Sequence, residues 1–234
     1  RTPTPVPTAP PPIDLPYSGE YVVRIDGGYV SEHMETVDGK DCLRVGLFLD
    51  GVTRERLLSS ISFKLLYDTD ALTFEKYKAL SGSMSYANTG VTGLVQFAYI
   101  SLNGTQVSRT TPIITMWFTV KEDLPAGTQI RFAFSEPVKA DSIAQGESAS
   151  QKRTVGAKLR PFGIAPIFGD ANCDCEVTAA DAALVMRALV GLDTLSATGA
   201  ENAKVAGKAT LSAEDAALIL RYVVNLVDRF PAAG

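Results

Sequence analysis

Residues 169–189 read GDANCDCEVTAADAALVMRAL, and their pattern indicates the architecture of the C-terminal part of the chain. Oxygen-bearing side chains stand at alternate positions and lead directly into apolar residues at helical spacing. Residues 203–223 read AKVAGKATLSAEDAALILRYV, so the tetrad Asp-Ala-Ala-Leu recurs, with Asp181 and Asp215 34 residues apart. An internal repeat of this length predicts two copies of one loop–helix unit.

The first copy has the ligand spacing of a calcium loop. Counting from Asp170, oxygen-bearing residues fill positions 1, 3, 5, 7, 9 and 12, namely Asp170, Asn172, Asp174, Glu176, Thr178 and Asp181. An EF-hand-type loop uses this spacing because a hard cation takes six or more oxygens, here including the backbone carbonyl of Glu176 and the hydroxyl or a bridging water at Thr178. The alternative is an acidic turn that caps a helix, with Thr178 at the N-cap. Six matching positions favour one calcium ion.

Two cysteines interrupt this loop. EF-hand loops place glycine at position 6, where this chain has Cys175. A β-carbon at a positive φ costs about 1 kcal/mol, so we expect calcium to bind more weakly than with glycine. Cys173 and Cys175 also suggest a soft metal such as zinc, but the only histidine, His33, lies far away in the sequence. The oxygen ligands favour calcium.

The second copy has lost its acidic ligands. Lys204, Ala206 and Lys208 stand where the first copy has aspartate and asparagine, and ammonium and methyl groups do not coordinate calcium. We therefore expect calcium at one site only. We also expect Lys204 or Lys208 to replace the missing cation by pairing with Asp215; the alternative is a loose loop.

The chain upstream of the repeat shows a period of two. From Tyr17 to about Pro161, apolar and other residues alternate in several short runs, which turn residues such as Asp50-Gly51 and Asn103-Gly104 separate. The clearest runs are centred on Leu43–Leu49, Ile61–Tyr67, Ile114–Val120 and Ile130–Phe134. Many short strands without intervening helices predict a β-sandwich. Before it, residues 1–16 carry seven prolines, which favour an extended spacer.

Composition excludes several classes of function. A net charge of −4 and a pI near 5.1 argue against nucleic-acid binding, which needs clustered Lys and Arg. The sequence has no apolar run near the roughly 18–20 residues that cross a bilayer. No nucleophile–histidine motif is recognisable, and Asp68 and Asp70 are more typical of turn residues than of a glycosidase pair. We therefore expect no enzyme activity.

Both halves resemble modules of cellulosomes. Residues 169–187 resemble a dockerin, closest to those of ruminococcal cellulosomes, and residues 201–222 resemble its second half with the acidic ligands replaced. The upstream part is similar to a cohesin in residues 61–72, 93–97 and 115–121. The resemblance implies a mainly β chain with a small α part, in which a jelly-roll β-sandwich precedes a small helical EF-hand-like module. The expected ranges are a Pro/Thr-rich linker at 1–16, the cohesin-like sandwich at 17–162, a short linker at 163–168 and the dockerin-like module at 169–234.

The resemblance implies a non-catalytic adaptor of the scaffoldin type. Its sandwich would bind the dockerin of a partner, and its own calcium-loaded dockerin would attach to the cohesin of another protein. Such complexes degrade polysaccharides outside bacterial cells, so the chain is expected to be secreted or attached to the cell surface. The alternative is a carbohydrate-binding or Ig-like sandwich fused to a dockerin, for which Trp117 is the candidate sugar platform.

The helices of the repeat suggest a candidate partner-binding surface. Arg187 and Arg221 are expected to be exposed and to reach carboxylates on a cohesin. The full candidate surface comprises Ala179, Ala180, Met186 and Arg187 in the first repeat and Ala213, Glu214, Leu220 and Arg221 in the second. Met186 and Leu220 are equally compatible with packing between the two helices. Because the two patches differ, we expect one preferred binding orientation.

Overall fold

The computed structural model describes residues 20–81 and 84–233, which form two compact units. The first unit contains residues 20–26 and the described residues of His33–Glu122 and Ile130–Arg160. The second contains Gly27–Glu32, Asp123–Gln129 and the described residues of Pro161–Gly234. The predicted Pro/Thr-rich linker at 1–16 lies outside the described residues.

The described residues contain strands in both units and α-helices in the second unit only. The strands are β1 (Tyr21–Ile25), β2 (Gly28–Tyr29), β3 (Met34–Val37), β4 (Lys40–Asp50), β5 (Arg56–Tyr67), β6 (Leu72–Ala79), β7 (Met84–Asn88), β8 (Leu94–Thr105), β9 (Ile114–Val120), β10 (Gln129–Ile130), β11 (Phe132–Phe134), β12 (Lys139–Ala144), β13 (Ser150–Arg153), β14 (Val155–Leu159) and β15 (Phe162–Gly163). The helices are α1 (Ala179–Leu189), α2 (Ala197–Asn202) and α3 (Ala213–Val223).

The first unit is built from two sheets. One has the order β14-β1-β4-β9-β6 with β3 paired to β4, and the other has the order β13-β12-β5-β8-β7 with β11 paired to β5. β1 and β14 are parallel, whereas β4, β5, β8 and β9 pair with their neighbours in antiparallel fashion. The predicted alternating runs near 43–49, 61–67 and 114–120 all lie in strands, and the run near 130–134 is divided between β10 and β11.

Aromatic side chains fill the space between the two sheets. The ring of Phe118 on β9 lies 5.0 Å from Tyr67 on β5 and 5.6 Å from Phe132 on β11, measured between centroids. These three rings come from opposite sheets and are almost fully buried. Because strand side chains alternate between faces, the period-two pattern places its apolar members in this layer. The chain is thus mainly β, with the predicted β-sandwich in its first unit.

The second unit repeats one loop–helix element. α1 and α3 each have eleven residues and begin at positions 34 apart, as the sequence repeat predicts. Their core uses equivalent residues of the two copies, since Ala182 and Val185 of α1 correspond to Ala216 and Ile219 of α3. All four side chains are at least 98% buried. The repeat therefore stabilises itself by packing one copy against the other.

A small sheet also belongs to the second unit. β2 pairs in parallel with β15, with Phe162 opposite Gly28 and Gly163 opposite Tyr29. Its order is β10-β15-β2. Part of the predicted linker at 163–168 thus lies in a strand, and Tyr29 joins the second unit from far upstream. Within the described ranges, none of the helices has the length and apolarity needed to cross a membrane.

Candidate functional site

Asp170 organises the first loop. Its side chain is fully buried, and its two carboxylate oxygens accept hydrogen bonds from the loop backbone. Oδ1 accepts from the N–H of Asp174 at 3.1 Å, and Oδ2 accepts from the N–H of Cys175 at 2.9 Å. The N–H groups of positions 5 and 6 thus turn towards position 1, which bends the chain into a loop around this carboxylate.

Asp181 closes the same loop from the first turn of α1. Its Oδ1 accepts from the N–H of Asn172 at 3.1 Å, and its Oδ2 accepts from the N–H and the hydroxyl of Thr178 at 2.8 and 3.1 Å. Thr178 is the N-cap of α1, and its hydroxyl accepts from the N–H of Ala180 at 3.2 Å. Hydrogen bonds therefore join positions 3, 9 and 12 of the predicted loop, and Thr178 also caps α1.

The remaining predicted ligands, Asn172, Asp174 and Glu176, are less buried than the two aspartates. Asn172 is exposed, and its side-chain oxygen accepts from the N–H of Asp174 at 2.9 Å. Asp174 in turn accepts from the N–H of Glu176 at 3.1 Å. Both Asp174 and Glu176 are partly buried. Asn172, Asp174 and Glu176 thus each retain some exposure to solvent, in contrast to Asp170 and Asp181.

The charge of the loop suits a hard cation. Asp170 and Asp181 are both fully buried, and neither forms an ion pair with another described residue. Burial raises the pKa of Asp170, and the nearby charge of Asp181 raises it further, although hydrogen bonds to Tyr29 and the backbone oppose the shift. Within the described ranges, no three acidic, histidine or cysteine side chains come together as a metal-binding group. The donor chemistry and charge of the loop nevertheless suit calcium, because its side chains offer oxygen ligands and its two buried carboxylates have no ion-pair partner among the described residues.

Cys175 occupies the predicted left-handed position. Its φ is 65°, and Cys173 also has a positive φ of 60°. The Cys175 side chain is fully buried in a cluster with Tyr29 and Ile167. Burial raises the pKa of its thiol to about 12, with the charge of Asp170 as the next cause. The packing of this sulfur against Tyr29 and Ile167 disfavours the zinc alternative, because a zinc-bound thiolate needs further metal ligands around it.

The second loop keeps the aspartate of its helix but not the cation pairing that we expected. Asp215 Oδ1 accepts from the N–H of Ala206 at 2.8 Å, and Oδ2 accepts from the N–H and hydroxyl of Ser212 at 2.8 and 2.9 Å. Lys204 instead pairs with Glu201 at 2.6 Å, and Lys208 pairs with Glu214. The expected pairing of a lysine with Asp215 is therefore wrong. Backbone and hydroxyl donors satisfy this carboxylate, and the flexible lysines reach nearer glutamates.

Every residue of the candidate partner-binding surface is exposed. These residues are Ala179, Ala180, Met186, Arg187, Ala213, Glu214, Leu220 and Arg221. Met186 and Leu220 are each 45% exposed, which decides against complete packing between the helices. Arg187 pairs with Asp193, and this hydrogen bond raises the pKa of its guanidinium.

A pair of exposed apolar residues follows each of the helices α1 and α3, and the sequence pattern alone did not indicate them. Val190 and Leu192 follow α1, and Val224 and Leu226 follow α3 at the equivalent positions. All four are between 60% and 69% exposed. The 34-residue spacing was the signal that could have found them, because exposed apolar residues that recur in both copies are more informative than single ones.

The sandwich presents an apolar strip on the outer face of one sheet. Met84 and Tyr86 on β7 and Ile100 and Leu102 on β8 are between 43% and 77% exposed. Met84 lies directly opposite Ile100 in the antiparallel pair. These outward positions alternate with the buried Val95, Phe97 and Tyr99 of β8, so the strip is one face of a regular sheet.

Trp117 lies on the other sheet among polar residues. Its indole N–H donates to Glu35 at 3.0 Å, and the Nζ of Lys76 lies 5.5 Å from the ring centroid. It lines a surface depression together with Glu35, Arg44 and Lys78. The outward orientation expected for Trp117 is consistent with its half-buried side chain. Asp68 accepts from the N–H of Asp70 at 2.8 Å, as a turn residue does.

Comparison with solved structures finds cohesin modules. The chain is similar to the sixth cohesin of scaffoldin B from Acetivibrio cellulolyticus, solved with a Cel5 dockerin mutant (16% identity, TM-score 0.43, 62% of this chain and 95% of that chain covered). It is also similar to the seventh ScaB type I cohesin from Pseudobacteroides cellulosolvens (15%, 0.44, 63% and 95%) and to the third ScaB cohesin of R. flavefaciens, solved with a group 1 dockerin (16%, 0.42, 64% and 98%). No family model and no curated protein matches the chain.

Proposed function

We propose that the chain is a non-catalytic adaptor with two docking surfaces. The helical unit, loaded with one calcium ion, attaches to the cohesin of another protein, and the sandwich accepts the dockerin of a further partner in an extracellular polysaccharide-degrading complex. The observation that carries the proposal is the duplicated loop–helix element. Asp181 and Asp215 receive equivalent hydrogen bonds, yet Lys204 and Lys208 stand where the first loop has Asp170 and Asp174.

One calcium ion would occupy the first loop. Asp170, Asn172, Asp174 and Asp181 would bind it through side-chain oxygens, with Glu176 through its carbonyl and Thr178 through its hydroxyl or a water. When bound, calcium supplies the positive charge that two buried carboxylates lack. Calcium that binds only the folded loop stabilises the unit by mass action. The second loop would bind no calcium, because Lys204 and Lys208 supply no oxygen ligand at its positions 1 and 5.

The helical unit would bind a cohesin through the exposed ends of α1 and α3. Each copy presents an apolar residue beside an arginine, Met186 with Arg187 and Leu220 with Arg221. An apolar anchor beside a cation suits a partner surface that offers both apolar contact and carboxylates. Because Ala180 of the first copy corresponds to Glu214 of the second, the two copies differ in charge. This difference favours one binding orientation.

The sandwich would bind a dockerin on the strip of Met84, Tyr86, Ile100 and Leu102. An exposed apolar strip on a regular sheet face is costly in water unless a partner covers it. A pair of helices with apolar anchors has the shape and chemistry to lie on such a face. The polar surroundings of Trp117 on the opposite sheet show no second aromatic platform among its lining residues, so no observation favours sugar binding.

Two matched pairs of variants in the full chain test this proposal. For the helical unit, Met186→Ser with Arg187→Ala is compared with Leu220→Ser with Arg221→Ala, and calorimetry measures binding to a panel of bacterial scaffoldin cohesins. We expect tenfold or greater weakening from one double variant and little change from the other. Equal losses would contradict a single orientation, and unchanged affinity in both would contradict the docking surface.

For the sandwich, Leu102→Asp is compared with Met34→Asp. Both residues are exposed and apolar, but Met34 is on the opposite sheet. A panel of calcium-loaded dockerins should lose affinity for Leu102→Asp and keep it for Met34→Asp. Retention of dockerins by Leu102→Asp, or their loss in both variants, would contradict the assigned face.

A further inference from the structure

Tyr29 reaches the first loop from 141 residues upstream. It belongs to the segment Gly27–Glu32, which is part of the second unit, and only 1% of it is exposed. Its hydroxyl donates to Oδ2 of Asp170 at 2.9 Å. Oδ2 is also the oxygen that accepts from the N–H of Cys175. One oxygen of the position-1 carboxylate is therefore held by two donors.

Asn202 holds this tyrosine in place. The Asn202 side-chain amide donates to the Tyr29 hydroxyl at 2.5 Å and to the backbone carbonyl of Asp170 at 3.0 Å. Asn202 ends α2 and is 1% exposed. The buried chain Asn202–Tyr29–Asp170 is thus fully connected, and connected buried networks restrict the rotamers of their members.

Further contacts fix the loop at Cys175. The Gln129 side chain donates to the carbonyl of Cys175, and the Cys175 side chain packs with Tyr29 and Ile167. A β-carbon placed on Gly163 would lie 2.8 Å from the sulfur of Cys175, so this thiol lies against the backbone of β15. Tyr29 stands directly opposite Gly163 in the β2–β15 pair. The loop is therefore backed by strands from outside the repeat.

The second repeat has no carboxylate for a tyrosine to orient at the position of Asp170. Lys204 stands at the position equivalent to Asp170 and pairs with the nearby Glu201. The hydroxyl of Tyr29 is directed instead at the carboxylate of the first copy. Residues that orient a metal ligand from behind are commonly worth tenfold or more in metal affinity.

We infer that Tyr29, supported by Asn202, is a positioning residue that orients the Asp170 carboxylate for the cation, so that ion binding in the repeat depends on a segment outside it. Tyr29 acts through Asp170 and touches no ion itself. This inference rests on the proposed calcium site. With the rotamer of Asp170 fixed, less conformational entropy is lost when the ion binds.

The test replaces the hydroxyl alone, as Tyr29→Phe in the full chain. Tyr99→Phe is the matched control, because Tyr99 is 2% exposed and its hydroxyl bonds to Thr105 at 2.5 Å within the sandwich. Calorimetry with calcium chloride measures affinity, and circular dichroism at 222 nm confirms that the helices remain. We expect calcium affinity to fall about tenfold in Tyr29→Phe and to stay within about twofold of wild type in Tyr99→Phe.

Amide exchange in the calcium-free protein provides a separate readout. The N–H groups of Asp174 and Cys175 both donate to Asp170, so they should exchange faster in Tyr29→Phe than in wild type, while amides of α3 remain protected. Unchanged calcium affinity together with unchanged exchange at Asp174 and Cys175 would overturn the inference. Should wild type bind no calcium, the proposed function fails, and exchange at these two amides alone decides whether Tyr29 orients Asp170.

If Tyr29→Phe loses its helices, Asn202→Ala takes its place. This variant removes the amide that supports the Tyr29 hydroxyl while leaving the ring and the hydroxyl. We expect an intermediate loss of calcium affinity and faster exchange at Asp174 and Cys175. Unchanged values of both quantities would overturn the inference.

Discussion

Cys175 combines a backbone cost with a packing gain, and the balance between them can be measured. Its φ of 65° places a β-carbon in the left-handed region, which costs about 1–2 kcal/mol relative to glycine. Its side chain is fully buried against Tyr29 and Ile167. Burial of one sulfur-sized apolar group, together with the cavity that its removal leaves, contributes about 1–1.5 kcal/mol. The two effects are close to equal in size.

Two variants separate these contributions. Cys175→Ala keeps the left-handed cost but loses the buried sulfur, so the free energy of unfolding of the second unit should fall by about 1–1.5 kcal/mol. Cys175→Gly loses the sulfur and also the backbone cost, so it should stay within about 1 kcal/mol of wild type. Glycine should therefore be the more stable replacement, although it has the smaller side chain.

Urea unfolding of the full chain supplies the measurement. Circular dichroism at 222 nm follows the second unit, because all the α-helices of the described residues belong to it. Fluorescence of Trp117, the only tryptophan in the chain, follows the first unit and serves as an internal control. The experiment is done in chelator to separate folding from calcium binding. A Cys175→Gly protein less stable than Cys175→Ala would show that the left-handed backbone cost at this position is smaller than stated.

Three further predictions use the same assays. Gly169→Ala should destabilise the second unit by about 2 kcal/mol, because φ is 94° and the new β-carbon would lie 2.9 Å from Phe230; a change below about 0.5 kcal/mol would contradict this. Ser212→Ala should cost about 1 kcal/mol in helix unfolding through loss of the hydrogen bond from the Ser212 hydroxyl to Asp215 at the start of α3, with Trp117 fluorescence unchanged, and no loss of helix stability would count against this role. Maleimide at pH 8 should label Cys173 and spare Cys175, whose buried thiol has a pKa of about 12 and stays protonated; rapid labelling of Cys175 would show that the cluster opens.

Local patterns made much of the fold predictable. The alternation in Leu43–Leu49 and Ile61–Tyr67 predicted strands because a sandwich buries every second side chain. The recurrence of Asp181 at Asp215 predicted equivalent helices, and both aspartates bind their loop backbone in the same way. These features depend on neighbours within a few residues or on a fixed repeat.

Contacts between residues far apart in the chain could not be predicted from the sequence. Nothing near Tyr29 indicates that its hydroxyl bonds to a residue far along the chain. The loop pattern predicts the backbone cost of Cys175 but not the cluster with Tyr29 and Ile167 that buries its side chain. The sequence predicts that Lys204 or Lys208 pairs with Asp215, but Lys204 pairs with Glu201 and Lys208 pairs with Glu214. Spacing alone does not show which carboxylate a long lysine side chain reaches.

Calcium titration of the full chain, followed by calorimetry and circular dichroism, is the decisive test of the proposed single calcium site. We expect one calcium ion per chain, a rise in helix stability that a chelator reverses, loss of binding in Asp170→Ala and retained binding in Lys208→Ala. The absence of calcium binding, two ions per chain, or binding that survives in Asp170→Ala would contradict it.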